Sequence, residues 1–226
     1  LDPKILSKYK NKKTKIIIKK FNDQRLKKRM FSLGFYNVIE CEAWKKYKLN
    51  KDISIVIIPQ MSSNTSGLPE QINYDLDTSI LIQSNHSREI FFNTVDNPLS
   101  LKDCKKVKLF IKRKFSKRID VVCFQAGAAS EYPQCFLNID RKKEKEKVIK
   151  KRLLDLKLKL RILEPKVFFP IVGGYIVSGK YSVLNKYIAQ PSYDQITELL
   201  KNENYLIFEI AGKKKIIEKH GKWLLK

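Results

Sequence analysis

The residues best suited to chemistry lie in two short segments. In REIFFNTVDNP, residues 88–98, a hydrophobic run leads to Asp96, with Asn93 and Asn97 close by. An ionised carboxylate at the rigid end of a strand can coordinate a divalent metal or hold a metal-bound water, because the ligand oxygen is in place before the ion arrives. The same spacing suits an Asp that caps a turn ahead of Pro98, and both roles stay open at this point. In IDVVCFQAGAASEYP, residues 119–133, Gly127, Ala128 and Ala129 allow close approach of a ligand while Ser130 and Tyr132 offer hydroxyls. Small residues serve tight packing as readily.

Other chemistries are thin. The two histidines, His86 and His220, form no HxH or HExxH pair, so this sequence alone does not supply an ordinary His-rich zinc site. The four cysteines, Cys41, Cys104, Cys123 and Cys135, have no CxxC spacing and read as small hydrophobes of a reduced, cytoplasmic protein. There is no GxxxxGK[ST] phosphate loop and no GxSxG elbow, and Gly173-Gly174-Tyr175 is a lone glycine pair.

The elements that must position these residues follow from patterning. Residues 14–18 read as a short buried strand, and Asn22 or Asp23 caps a helix over 25–33 that ends at Gly34. Strands are expected at 36–41, 45–49 and 53–58, the last so continuously apolar that it must be covered on both faces. The polar stretch 59–75 has the composition of a binding loop. Strands at 78–82 and 89–93 form a hairpin around QSNHSR, and Ser100 with Asp103 forms a capping box opening a helix through Phe110. A strand at 119–124 feeds the QAGAASEYP loop, which is where open α/β sheets bind ligands. A long charged helix spans 141–163 with one apolar face, and Pro165 ends it. A helix at 192–201 and a closing strand pair, 205–210 with 214–218, complete the chain.

With 226 residues and 43% hydrophobic side chains, the chain can bury a sizeable core. Its longest apolar stretch, residues 167–177, contains Pro170, Gly173 and Gly174 and falls short of the roughly 20 residues a membrane-spanning helix needs. The net charge of +24 attracts polyanions, which raises weak non-specific polyanion binding. The basic residues are spread along the chain and Lys outnumbers Arg by 39 to 8, as a solvated lysine surface would also require. Interleaved aromatics and lysines, as in Trp44-Lys45-Lys46-Tyr47, either stack bases or cover a core with aliphatic stems.

The series DTSILI, EIFFNTVDNP and IDVVCFQAGAASEYP resembles the second half of the metallo-β-lactamase fold, an αββα sandwich of the α/β class. More narrowly, NTVDN, GAASEYP, the charged helix and PKVFFPIVGGY resemble the branch containing the CMP-N-acetylneuraminate hydroxylases and related metal-dependent hydrolases, over residues 15–175. The resemblance implies a sandwich truncated at its N-terminus, with residues 1–140 forming the later part of the domain and 141–226 an extension completing or flanking it. It makes Asp96 the metal-bridging and catalytic carboxylate, with Asp77 a second metal ligand in place of a missing histidine. Gly127, Ser130, Tyr132 and Tyr175 then bind substrate. The family's HxHxDH motif would precede Leu1. The implied function is hydrolysis of a small anionic, phosphorylated or sugar-nucleotide-like substrate, using a divalent zinc or iron. The alternatives are a hydroxylase-like oxygenase, which would need an iron–sulfur cluster from elsewhere, and a non-catalytic basic polyanion-binding protein.

Overall fold

The computed structural model describes residues 2–10, 13–61, 78–94, 96–127, 130–171, 175–208, 216–219 and 222–225. Most of the polar stretch after residue 59, with Asp77, lies outside the described residues, as do Ala128, Ala129, Gly173, Gly174 and His220.

The chain enters through α1 (Pro3–Lys8), whose first turn is closed by Asp2 Oδ1 accepting from the Lys4 amide at 2.8 Å. β1 (Ile16–Lys19) follows, then α2 (Arg25–Ser32) and β2 (Val38–Cys41). The anticipated Asp23 satisfies the start of α2, its Oδ1 accepting from the Arg25 amide at 2.6 Å, although the cap position itself is Gln24. Gly34, with φ of +87°, takes the left-handed conformation that lets the chain leave the helix. The crossover sets β1 and β2 side by side in parallel, Ile16 opposite Val38.

Alternating burial then builds the main sheet. β3 (Lys46–Lys48), β4 (Ile53–Pro59), β5 (Thr78–Ser84), β6 (Ile90–Asn93), β7 (Val121–Gln125), β8 (Val167–Ile171) and β9 (Leu206–Ile207) lie in that order in one seven-stranded sheet. The first three pairings are antiparallel and the last three, from β6 to β9, are parallel. Successive side chains point to opposite faces. Val56, Ile58, Leu81, Phe92, Val122 and Phe168 therefore face one core, and their neighbours Ile55, Ile57, Val121, Cys123 and Phe169 face the other way. β4 has apolar residues on both faces, as its continuous hydrophobicity required, and its second face packs against Ile17 and Ile39 of the β1–β2 pair.

Parallel neighbours need crossovers, and helices supply them. α3 (Leu101–Phe115) links β6 to β7 and α4 (Arg141–Leu163) links β7 to β8. The Ser100–Asp103 capping box forms as anticipated, and α3 continues one turn past Phe110 because Ile111 and Phe115 extend its buried stripe. α4 has the expected ends and buries Ile149, Leu156, Leu160 and Leu163. A 3-10 helix (Gly179–Tyr187) and α5 (Tyr193–Leu200) follow, α5 adding Ile196 and Leu200 to the same core. Among the described residues no helix is long and apolar enough to cross a membrane.

The expected closing strand pair is not what forms. β9 joins the main sheet instead, with the Leu206 and Phe208 amides donating to Lys166 and Phe168 carbonyls at 2.9 and 3.1 Å. β10 (Ile216–Lys219) turns back on β11 (Lys222–Leu225) as an antiparallel hairpin. Among the described residues the two halves of the expected pair find other partners, 206–207 on β8 and 216–219 on β11.

Leu160 is fully buried in the helix-side core, whereas Leu154 on the same helix is 57% exposed. Leu160→Ala should cost about 2–5 kcal/mol through lost burial and the cavity left behind. Leu154→Ala should stay within about 0.5 kcal/mol. Urea unfolding midpoints of the two variants check the pair, and equal losses would contradict this packing.

Candidate functional site

Because β6 and β7 run parallel and adjacent, with Phe92 opposite Val122, their carboxyl ends open on the same edge of the sheet. α4 passes that edge. The result is a crevice of about 290 Å³ walled by Asn97 from the turn after β6, Phe124 and Gly127 from the end of β7, and Arg152, Asp155 and Lys159 from α4.

The turn after β6 is held by buried polar groups. The Thr94 amide and hydroxyl both donate to the Cys123 carbonyl, at 3.0 and 3.2 Å, and the Thr94 carbonyl accepts from Ser79 Oγ at 3.3 Å. Asn97 Nδ2 donates to Ser79 Oγ at 2.9 Å and to the Ile58 carbonyl at 3.4 Å, tying the ends of three strands together. Asn97 is 2% exposed and its Oδ1 has no hydrogen-bond partner. The residue lines the crevice, but this oxygen is itself sealed from solvent. Asp96 sits in this turn with its side chain exposed, next to Asn97 in the chain and outside the crevice lining.

Three charged side chains among the described residues line the crevice. Lys159 Nζ lies 2.5 Å from Asp155 Oδ2 and 5.7 Å from the centre of the Phe124 ring. Arg152 donates from Nη1 to the Ala189 carbonyl at 2.7 Å. Burial holds its guanidinium below the ordinary arginine value, with the nearby Tyr175 acting in the opposite direction. It stays charged at any accessible pH. Two cations therefore face one carboxylate.

Ser130, Tyr132 and Tyr175 form a separate hydrogen-bonded cluster. Tyr175 OH donates to the Ser130 carbonyl at 2.5 Å, and Gln134 Nε2 donates to the same carbonyl at 2.6 Å and to the Tyr175 oxygen. The Tyr132 amide donates to Ser130 Oγ at 3.2 Å, and its hydroxyl donates to Glu144 Oε2. None of the three lines the crevice, but Tyr175 abuts it through Arg152. Gly127 does line it; a Cβ there would meet Gln190 Cγ at an ordinary 3.5 Å, so packing does not demand the glycine. The sequence reading missed Arg152 and Lys159, whose only signal was their place on a helix otherwise rich in solvated cations.

The same structure tests whether a metal fits. Among the described residues no group of three or more His, Cys, Asp or Glu side chains is placed to hold one. His86 lies in the β5–β6 hairpin, at the opposite end of the strands from Asp96, with Nε2 2.7 Å from Asp52 Oδ1. Asp155 is committed to Lys159 and Asp103 to its capping box, while Asp77 lies outside the described residues. The described residues thus do not make a complete metal site around Asp96.

No family model matches the chain, and no curated protein matches its sequence. Among solved structures, the chain is similar to a candidate metal-dependent hydrolase from Parabacteroides distasonis, with a TM-score of 0.51 and 12% identity over 92% of this chain and 70% of that one. It also matches unliganded yeast PDE1 at a TM-score of 0.46 and 9% identity, over 89% of this chain and 59% of that one. The fold is accordingly a metallo-hydrolase-like α/β sandwich built on a mixed central sheet.

The Tyr132 hydroxyl, followed by nearby lysines, holds the Glu144 carboxyl below the ordinary glutamate value. A depressed carboxyl stabilises the fold above its unfolded pKa, and that contribution is lost as pH falls through the folded value. Tyr132→Phe removes the largest cause and should move the Glu144 midpoint upward in a carboxyl NMR titration. An unmoved midpoint would show that the hydrogen bond does not form in solution.

Proposed function

We propose that this chain belongs to a metal-dependent hydrolase acting on a small phosphorylated or sugar-nucleotide-like substrate, and that the strand-end crevice binds the anionic part of it. The observation that carries this reading is the presence of Arg152 and Lys159 in the lining of a crevice at the carboxyl ends of β6 and β7. Ligands of open α/β sheets gather at such strand ends. The narrower sequence resemblance to the CMP-N-acetylneuraminate hydroxylase branch favours the same substrate class, a sugar joined to a phosphate.

In this reading Arg152 and Lys159 neutralise the phosphate, Arg152 with a planar fork suited to two of its oxygens. Gly127 leaves room for the sugar to approach the backbone. Tyr175 positions Arg152. Asp96 supplies a carboxylate toward a zinc or iron ion, with Asp77 as a second donor.

Two measurements on the full chain test these roles. Cytidine monophosphate should bind in a calorimetric titration and compete with inorganic phosphate, and Arg152→Gln should weaken it about tenfold or more, as expected for loss of a charged hydrogen bond. Binding unaffected by that substitution would remove the crevice from the mechanism. Separately, Asp96→Asn should lower zinc retained after dialysis while leaving the thermal midpoint within a few degrees. Unchanged zinc content would make Asp96 a turn residue.

A further inference from the structure

A second concave surface shares no lining residue with the crevice. Trp44 and Phe110 line a hollow of about 530 Å³ together with Lys106, Arg113 and Lys114. Lys114 also lines an adjoining hollow of about 510 Å³, with Lys46, Lys48 and Arg88. The shared lysine joins them into one open trough. Among the described residues six cations line it and no carboxylate does. Of the acids near it in sequence, Glu42 pairs with Lys45 and Lys20, at 3.5 and 3.7 Å, Asp52 with His86 at 2.7 Å, Glu89, beside Arg88, accepts from Ser87 Oγ at 2.9 Å, and Asp103 serves the capping box of α3.

Two features show that this charge is organised. Lys46 donates to Gln83 Oε1 at 2.7 Å and lies 5.4 Å from the centre of the Phe115 ring, which fixes its ammonium among like charges. Burial, then Arg88 and Lys114, hold that ammonium below the ordinary lysine value. Such repulsion is relieved by a bound anion. Trp44 has a left-handed backbone, φ 64°, uncommon for a bulky side chain, and its amide is pinned to the Ile57 carbonyl at 2.9 Å. Its ring stands edge-on to Phe110 with centroids 5.1 Å apart. The trough thus pairs a fixed aromatic platform with a track of cations.

We propose that this trough binds single-stranded nucleic acid, with a base stacked at Trp44 and the phosphates running past Lys114 toward Lys46, Lys48 and Arg88. Base stacking on aromatic side chains within a basic groove is the physics of sequence-tolerant strand binding. A duplex hides its base faces. A bilayer presents a flat surface that fits a concavity poorly, and Leu109 is the only large exposed hydrophobic side chain in the lining. This inference does not rest on the hydrolase reading.

The test uses the full chain and a fluorescent 20-nucleotide oligothymidine, with a duplex of equal length and phosphatidylserine vesicles as rivals. The single strand should bind tightest, with affinity falling as salt rises. Arg88→Gln with Lys114→Gln should flatten the logarithmic salt dependence by about 1.4, two phosphate contacts at about 0.7 each. Lys142→Gln with Lys150→Gln, exposed on α4, should leave it unchanged. Trp44→Ala should weaken binding about tenfold, and Trp44→Phe should restore most of it. Circular dichroism confirms that each variant is folded; if Trp44→Ala is not, the charge pair and Trp44→Phe still decide. Equal flattening by the α4 pair, duplex or vesicle binding at least as tight as the single strand's, or wild-type affinity in folded Trp44→Ala would each overturn the proposal.

Discussion

The structure depends on one constraint: the central strands are apolar on both faces and must be covered on both. Helices α3, α4 and α5 meet that demand on one side, where Phe92, Val122 and Phe168 lie fully buried. On the other side the β1–β2 pair covers Ile55 and Ile57 of β4. Toward the far edge Val121, Cys123, Val167 and Phe169 cluster together, with Phe208 stacked on Phe169 at 5.7 Å between ring centres. Burial raises the Cys123 thiol to about 11, consistent with a cysteine serving as a small hydrophobe. Because these strands are apolar on both faces, a one-residue slip would only exchange one apolar set for the other, so register rests on how the side chains interlock and on the hydrogen bonds at the strand ends.

The crevice is a by-product of that arrangement. Helices that cover a parallel sheet must cross over at the strand ends, and the edge they leave open collects the polar groups that the core cannot hold. Asn97, Ser79 and Thr94 answer that problem by bonding to one another and to strand carbonyls. What internal bonding does not pair is the buried Asn97 acceptor, and Arg152, Lys159 and Asp155 bring charge to the same wall. Those charges are the basis for assigning the crevice to a ligand.

Charge is distributed by the same logic. Lysines spread through the sequence lose that uniformity once the chain folds. Some are tied to acids, such as Lys166 to the buried Asp120 at 2.5 Å and Lys157 to Glu203 at 3.4 Å. Among the described residues six basic side chains, and no carboxylate, line the Trp44 trough. Net charge predicts attraction for polyanions in general. Where the attraction is focused depends on which acids the fold draws elsewhere.

The sequence by itself determined the elements whose signals are local. The capping box at Ser100 and Asp103 and the striped helix ending before Pro165 satisfy their own backbone groups, so a short window suffices to read them. The continuous apolar run in 53–58 likewise declared that both faces of its strand must be buried. Only the tertiary structure decided features whose partners are remote. β9 is a two-residue strand defined by the carbonyls of Lys166 and Phe168, and nothing in its own pattern separated it from the hairpin expected after it. Asp96 was legible because it follows a strand, yet Asn97 beside it became the buried residue through contacts with Ile58 and Ser79. Arg152 met the end of β7 because α4 crosses there, and Trp44 met Lys114 because β3 and α3 share one side of the molecule. Local backbone bonding is written in adjacent residues, whereas a site is made by side chains far apart in sequence, and those meet only when the whole core closes.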